Sequence, residues 1–455
     1  MNIAIFSGEL SGDLIGGALA RELKALCPGV ELWGLGSSAM QTEGVELLAD
    51  SAAWGAIGII ESLGKVPAVL RMLPKVKSEL RKRRPDVVVL IDFGAFNVRV
   101  ARAAKEYGLK VCYDFPPGSW RRTGTKGAEL AQITDVIAAP FPWAAERYKA
   151  MGANAIYVGH PLVERVKATM TRAEFAAHFD MEASRPIIGM LPGSRKQEVA
   201  HLMPTLLDAA RLIAAQVPDA QFVIGVAPNI SEQMMAEYLI GHHHLRDKLT
   251  EIWHEFALDA ETKILRPITK TAERLVAQQR PMLVTTAGKL LPDDVLSDQR
   301  YTKQHTARMR SRSDKLPPPT VLAKGLTYEV MAHSDVLLTC SGTATLEATI
   351  FTTPMVILYR GSKLLELEYR LRGIKRAIVH IGLPNILADK TIVPELVQED
   401  ATPDAIAHHA LKLLNDLEVR STARHELHKI RTALGEPGAS RKTAEIVIEL
   451  ARKKP

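Results

Sequence analysis

Five consecutive apolar residues, Val87–Ile91, run directly into Asp92. A run of that length, mostly β-branched, reads as a buried strand, so Asp92 stands at a strand's carboxyl end. A carboxylate there can take the proton of a hydroxyl nucleophile. It can equally cap the helix expected from Val98, and the residues alone leave both roles open. Two further stretches could bind an anion: Leu191-Pro192-Gly193-Ser194-Arg195 and Cys340-Ser341-Gly342-Thr343. Each follows an apolar run and opens a helical pattern. A small-residue turn at such a junction presents backbone N–H groups and the positive end of a helix dipole, most often to phosphate. Arg195 adds a forked charge suited to phosphate oxygens. Glu347, one turn past the second stretch, is placed to accept from ribose hydroxyls. Neither stretch continues as a Walker loop. Either one alone reads equally as an ordinary turn; the pair, one with an arginine, favours a nucleotide diphosphate.

Two more polar residues stand beside expected turns. His160, in Val158-Gly159-His160-Pro161, suits a sugar hydroxyl or phosphate, or simply closes a domain boundary. Asn385, in an expected loop at Leu383-Pro384-Asn385, can both donate and accept at a uracil edge, a sugar or a phosphate. His242-His243-His244 with His254 lacks the spacing of a metal site, and adjacent histidines point in different directions. No metal is expected.

The elements that must position these residues follow an alternating β–α pattern, which implies an α/β fold of parallel sheets. Residues 3–6 read as a strand, 7–13 as a Gly/Ser turn and 14–26 as an amphipathic helix. Further strands are expected at 30–36, 111–113, 136–138 and 156–158. A polar link at 170–185 leads to a second set of strands at 187–190, 222–226, 335–338 and 354–359. A helix is expected to start at 394–398, and closing helices at 405–414 and 442–453. The stretch 241–319 is charged, weakly periodic and ends in three prolines, so it reads as an insertion.

Read in order, the runs Gly8-Glu9-Leu10-Ser11-Gly12-Asp13, Met40-Gln41-Thr42-Glu43-Gly44, Ile91-Asp92-Phe93-Gly94-Ala95-Phe96-Asn97, Val158–Pro161, Leu191–Arg195, Ser341–Glu347 and Leu383–Ala388 resemble the lipid-A-disaccharide synthase family. The resemblance implies two Rossmann-like domains with an interdomain cleft, the glycosyltransferase B type. It implies an acceptor and membrane-side domain at 1–168, a UDP-sugar domain at 169–430 and a closing helix at 431–455 packing back on the first. It also implies an inverting transfer from UDP-2,3-diacylglucosamine to 2,3-diacylglucosamine 1-phosphate, with Asp92 as general base. Gly8, Glu9, Ser11, Gly12, Asp13, Tyr113, Arg122, His160 and Gln398 then join Gly193, Ser194, Arg195, Ser341, Gly342, Thr343, Glu347 and Asn385 as substrate-binding residues. The chain departs from the family at Ala95, where a second aspartate is usual, and in the 113–122 loop. A related UDP-N-acetylhexosamine transferase or epimerase, or a non-catalytic UDP-sugar-binding protein, therefore stays open.

Composition sets the outer bounds. With 455 residues, 47% apolar and 24% charged, the chain can build two full cores. Cys27, Cys112 and Cys340 have no metal or CxxC spacing, as in a reducing compartment. No signal peptide and no run of the roughly 18–20 apolar residues that span a bilayer is evident, so a cytoplasmic protein is expected. A net charge of +7 is compatible with nucleic acid, an anionic membrane or phosphorylated substrates. Aromatics make up only 5% and are not interleaved with the basic runs, which argues against nucleic acid. The stretch 57–84 is apolar and densely basic, so it suits either an anionic inner-membrane surface or a core helix with a solvated basic end. No cofactor is expected, and self-association is left open.

Overall fold

The computed structural model describes residues 1–8, 10–51, 59–122, 127–240, 256–258, 265–267, 318, 320–361 and 380–453. Glu9, the four histidines at 242–244 and 254, and most of 241–319 lie outside these. The chain forms two compact units, Met1–Arg165 with Arg431–Pro455, and Val166–Ile430.

The first unit is built on seven parallel strands: β1 (Asn2–Ser7), β2 (Glu31–Gly36), β3 (Glu46–Asp50), β4 (Val87–Ile91), β5 (Val111–Asp114), β6 (Val136–Ala139) and β7 (Ala155–Tyr157). Their order is β3-β2-β1-β4-β5-β6-β7. β4 is buried at every residue, as expected for a strand covered by helices on both faces. The register pairs Ser7 with Ile91, so the carboxyl ends of β1 and β4 lie side by side. This is where the strand order reverses, and in doubly wound sheets ligands bind in the crevice there.

Helices α1 (Leu10–Leu26), α2 (Ser38–Thr42), α3 (Ile59–Arg83), α4 (Gly94–Glu106), α5 (Leu130–Ile133) and α6 (Pro142–Ala150) connect these strands. The expected 7–13 turn is shorter than read: α1 already starts at Leu10, with Asp13 at the positive end of its dipole. The closing helix Ala439–Arg452 contributes Ala444, Val447 and Ile448 to the same core as Leu19 and Leu23 of α1. In the last turns of α3, Val76 and Leu80 are buried. There Arg83 pairs with Glu46 and Glu79, and Lys75 donates to the Leu48 carbonyl. Among the described residues, no helix is long and apolar enough to cross a membrane.

The first unit's short helix α7 (Leu162–Arg165) ends at the boundary; in the second unit, α8 (Arg172–His178) precedes β8 (Ile187–Leu191), α9 (Lys196–Gln216) and β9 (Gln221–Val226). Its sheet continues with β12 (Thr320–Lys324), β13 (Val336–Cys340), β14 (Met355–Tyr359) and β15 (Glu395–Val397). The order β12-β9-β8-β13-β14-β15 is again doubly wound. Within 241–319, β10 (Phe256–Leu258) and β11 (Leu265–Pro267) form a separate antiparallel pair. Two expectations are corrected here. The 394–398 segment is not a helix start: β15 pairs in parallel with β14 and a 3-10 turn, Gln398–Asp400, follows. The expected loop at Asn385 is a short helix, Leu383–Ala388, whose Pro384 suits a first turn.

Candidate functional site

In the first unit, Gly8 and Tyr113 lie against the turn that carries Asp92. Its carboxylate-bearing residue is exposed, and both Asp92 (φ +46°) and Phe93 (φ +49°) are left-handed. Such backbone costs of the order of 1–3 kcal/mol per residue and persists only when its surroundings enforce it. Here they do. The Tyr113 hydroxyl donates to the Asp92 carbonyl at 2.9 Å. Buried Asn97 places Nδ2 at 2.9 Å from the same carbonyl, 3.1 Å from that of Ile91 and 3.2 Å from that of Phe6. The Asp92 amide donates to the Asp114 carbonyl on β5. The Phe93 ring lies so close to Gly8 that a Cβ there would fall 2.0 Å from Cγ of Phe93. Gly8 therefore admits the ring that sets the turn after β4. The N-cap of α4 is Phe93, with no side-chain cap, so Asp92 is not the capping residue the second reading required.

Electrostatics around this turn are those of a dry strand end. Burial, reinforced by the Asp92 charge, pushes the Tyr113 phenol well above its ordinary pKa, so it remains a donor. Burial raises the Asp114 carboxyl to about 7, and its Oδ1 has no partner.

Three residues expected to meet substrate are turned inward instead. Asp13 is buried and accepts from the backbone N–H groups of Ser37 (2.6 Å), Ala39 (2.9 Å) and Met40 (3.2 Å), which holds the start of α2. His160 is buried against Phe115 and Phe141, and its Nδ1 accepts from the Leu162 amide. Burial, assisted by the charge of Arg165, lowers its pKa to about 3, so the ring is neutral. Asn385 uses both ends of its amide internally: Nδ2 donates to the Val393 carbonyl and Glu395, and Oδ1 accepts from Ile392 and Val393. Of the others in the first unit, Ser11 is exposed in the first turn of α1, Gly12 is buried beside it, and exposed Arg122 stacks on Trp143 at 4.1 Å.

In the second unit, β8 and β13 are neighbours and pair Leu191 with Thr339, which brings both small-residue turns to one edge. The first turn is already filled by an anion of the chain's own. Glu198 Oε2 accepts from the amides of Ser194 (2.9 Å) and Arg195 (3.1 Å), and its Oε1 meets the Arg195 guanidinium at 2.7 Å. Gly193 has φ +121°, and a Cβ there would lie 2.6 Å from Glu198 Oε2. Glu198, three residues after the N-cap Arg195, reaches back to its amide as the acid of a capping box does, while the guanidinium, having no acceptor, supplies no reciprocal half. Arg195 is 51% exposed, and an ion pair of that kind contributes about 0–1 kcal/mol, so a stronger anion can displace it.

The second turn is open. Gly342 (φ +148°) caps the helix Thr343–Ile350 without a side-chain cap, and nothing lies within 4 Å of where its Cβ would be. Thr343 is exposed, and the Ser341 hydroxyl donates to the Ile381 carbonyl. The Cys340 thiol between the turns is raised to about 12 by burial, then by the charge of Glu198, with Arg195 opposing, so both turns share one field. Glu347 accepts from the Tyr328 hydroxyl at 3.3 Å, and buried Gln398 accepts from the Gly361 amide at 3.2 Å. Among the described residues, no group of acidic, histidine or cysteine side chains could hold a metal ion.

A family model described as lipid-A-disaccharide synthetase matches residues 3–287 and 298–450. The unmatched part of the expected insertion is thus only 288–297, and most of 241–319 is family sequence. The lipid-A-disaccharide synthase of Trichlorobacter lovleyi is 30% identical over 448 residues, covering 98% of this chain and 97% of that one. That of Geobacter sulfurreducens is 30% identical over 452 residues, covering 99% and 97%. Among solved structures, a UDP-GlcNAc 2-epimerase from Neisseria meningitidis bound to UDP-GlcNAc has a TM-score of 0.51 at 11% identity, covering 99% of this chain and 100% of that one. Acinetobacter baumannii MurG has a TM-score of 0.50 at 12% identity, covering 98% and 99%. These two likenesses bear on the fold alone: α/β, with two parallel sheets.

Proposed function

The chain belongs to the lipid-A-disaccharide synthetase family, and from that premise we propose that it joins UDP-2,3-diacylglucosamine to 2,3-diacylglucosamine 1-phosphate. Asp92 accepts the proton of the acceptor's primary hydroxyl. That oxygen bonds to the donor's anomeric carbon as the bond from this carbon to the UDP oxygen breaks on the opposite face. UDP leaves with the electron pair. The turns at Gly193–Arg195 and Ser341–Thr343 hold its diphosphate, and their helix N-termini and Arg195 stabilise the charge it gains. Binding exchanges the Arg195–Glu198 pair for a contact to phosphate. The observation that carries this reading is Asp92, held in strained backbone at the switch point of a chain that matches the family along nearly its whole length. The acylated substrates imply work at a lipid surface, and the basic stretch containing α3 is our candidate for peripheral contact with an anionic inner membrane on its cytoplasmic side.

The test is product analysis by mass spectrometry. Incubation with both acylated substrates is expected to give the disaccharide 1-phosphate and UDP in equal amounts. Epimerisation or transfer of a non-acylated UDP-N-acetylhexosamine instead, or UDP-sugar binding without turnover, would overturn the reading in favour of the two alternatives.

A further inference from the structure

Two residues that the family resemblance assigns to substrate are closed off by the fold. Tyr113 is 0% exposed and stands opposite Leu90 of β4. Its hydroxyl reaches past the end of β4 and gives its proton to the Asp92 carbonyl. Gly8 is buried just after β1. The space a side chain would take there is filled by the Phe93 ring, with Cγ, Cδ2 and Cδ1 at 2.0, 2.2 and 2.3 Å from the Cβ position. The next residue of the turn is pressed from another side: a Cβ on Gly94 would lie 2.9 Å from Cγ of Pro117. The Pro117 carbonyl is itself held by the hydroxyl of buried Tyr148 at 2.9 Å. Segments from β1, β5 and the loop after β5 therefore confine three consecutive residues, Asp92–Gly94. Released, two successive non-glycine residues in left-handed backbone relax to the right-handed or extended regions. The backbone angles of Asp92 set where its Cβ points, so that relaxation swings the carboxylate away.

We propose that Tyr113 and Gly8 are positioning residues for Asp92, which aim its carboxylate through the shape of the turn and make no contact with either sugar. This rests on the reading of Asp92 as the base. Tyr113 acts from β5 by holding the Asp92 carbonyl; Gly8 acts from β1 by leaving room for the Phe93 ring. Neither shapes a surface that binds substrate, so loss of either falls on the chemical step and not on binding.

Steady-state kinetics of disaccharide formation test this. Tyr113→Phe keeps the ring and removes the hydroxyl, and kcat is expected to fall about tenfold to a hundredfold, as when a reacting group is displaced by about 1 Å. Both KM values and the UDP affinity should stay near wild type. Gly8→Ala drives a methyl into the Phe93 ring and should lower kcat in the same way. Adding Phe93→Ala removes the overlapping ring, so the double variant should turn over faster than Gly8→Ala alone. In an Asp92→Asn background, Tyr113→Phe should cost little more, because the group it aims is already gone. Near-normal kcat in Tyr113→Phe, a loss confined to KM, no gain from Phe93→Ala, or a full further loss in the Asp92→Asn background would each overturn the proposal and leave the transfer reading standing. Hydrogen exchange reads the turn without turnover. The amides of Asp92, Phe96 and Asn97, which bond to the Asp114 and Phe93 carbonyls, should exchange faster in Tyr113→Phe. If the wild type forms no disaccharide, faster exchange keeps the hold of Tyr113 on the turn and removes the transfer reading; unchanged exchange removes both.

Discussion

Asp92 is fixed through its backbone. Tyr113, Asn97 and the Gly8–Phe93 contact hold the turn that carries it, and the proposed base, so fixed, would need no reorganisation at the moment of reaction. Asp92→Asn keeps the shape and removes the proton acceptor. It should leave melting temperature and UDP affinity near wild type and lower single-turnover disaccharide formation by roughly 10²–10⁴-fold. Near-normal turnover in a folded variant would end the assignment. The strand-end position of Asp92 was legible in the run Val87–Ile91. The clamp was not, because Asn97 and Tyr113 act across strands and nothing in local spacing announces a partner 21 residues away. Asp114 escaped notice for the same reason, and its burial has a consequence for pH. Its carboxyl titrates near 7 when folded against an ordinary 3.8. The folded state therefore binds more protons than the unfolded one across that interval, and its stability falls as pH rises from about 4 to 7, then levels off. Asp114→Asn cannot ionise. In urea unfolding it should match wild type near the bottom of that window and exceed it above pH 7, by an amount on the order of a few kcal/mol. Parallel pH profiles for the two proteins would contradict the burial account.

At the scale of elements, apolar runs gave away the strands because a parallel sheet covered on both faces demands them. Helix starts were harder. Asp13, inside the first turn of α1, looks like a loop carboxylate in sequence, but it reaches across to the amides that open α2. Asn385 looks like a ligand for uracil because an amide can donate and accept; the fold uses that same capacity to tie Leu383–Ala388 to the strand that follows. The turn between β8 and α9 was read correctly in position, and what the reading lacked was Glu198, the carboxylate that sits on its amides and on Arg195. On the proposed reading, a diphosphate competes with that carboxylate for two amides and one guanidinium. Arg195→Ala leaves the amides and removes the charged fork, whose hydrogen bonds to an ionised partner are worth about 1.5–3 kcal/mol. UDP affinity by calorimetry should fall by roughly tenfold to a hundredfold, with Lys196→Ala nearly unchanged. Equal affinity for wild type and Arg195→Ala would remove the arginine from the phosphate site.

For the whole molecule, each unit repeats the same doubly wound strand order, with Asp92 at the switch point of the first and the two small-residue turns at that of the second. The net charge of +7 is a property of the entire chain, so attraction to an anionic lipid surface could be diffuse or local. The end of α3 separates the two. Arg83 and Lys75 are committed to Glu46, Glu79 and the Leu48 carbonyl, which weakens the idea that the entire basic stretch faces lipid. Arg71 and Lys82 remain exposed on the same helix. A basic side chain near an anionic bilayer contributes about 1 kcal/mol, and the attraction decays within a Debye length, roughly 10 Å at 0.1 M salt and 3 Å at 1 M. The protein should therefore sediment with anionic vesicles and not with neutral ones, and high salt should release part of it. If docking is local, Arg71→Glu with Lys82→Glu will abolish most of that binding. A single reversal of the exposed Arg424, on the helix Leu417–Ala433 of the second unit, will have little effect. If attraction is diffuse, reversals will act in proportion to charge wherever they are made. Failure to sediment with anionic vesicles at low salt would reject the surface contact and leave α3 as a helix that serves only its own unit's core.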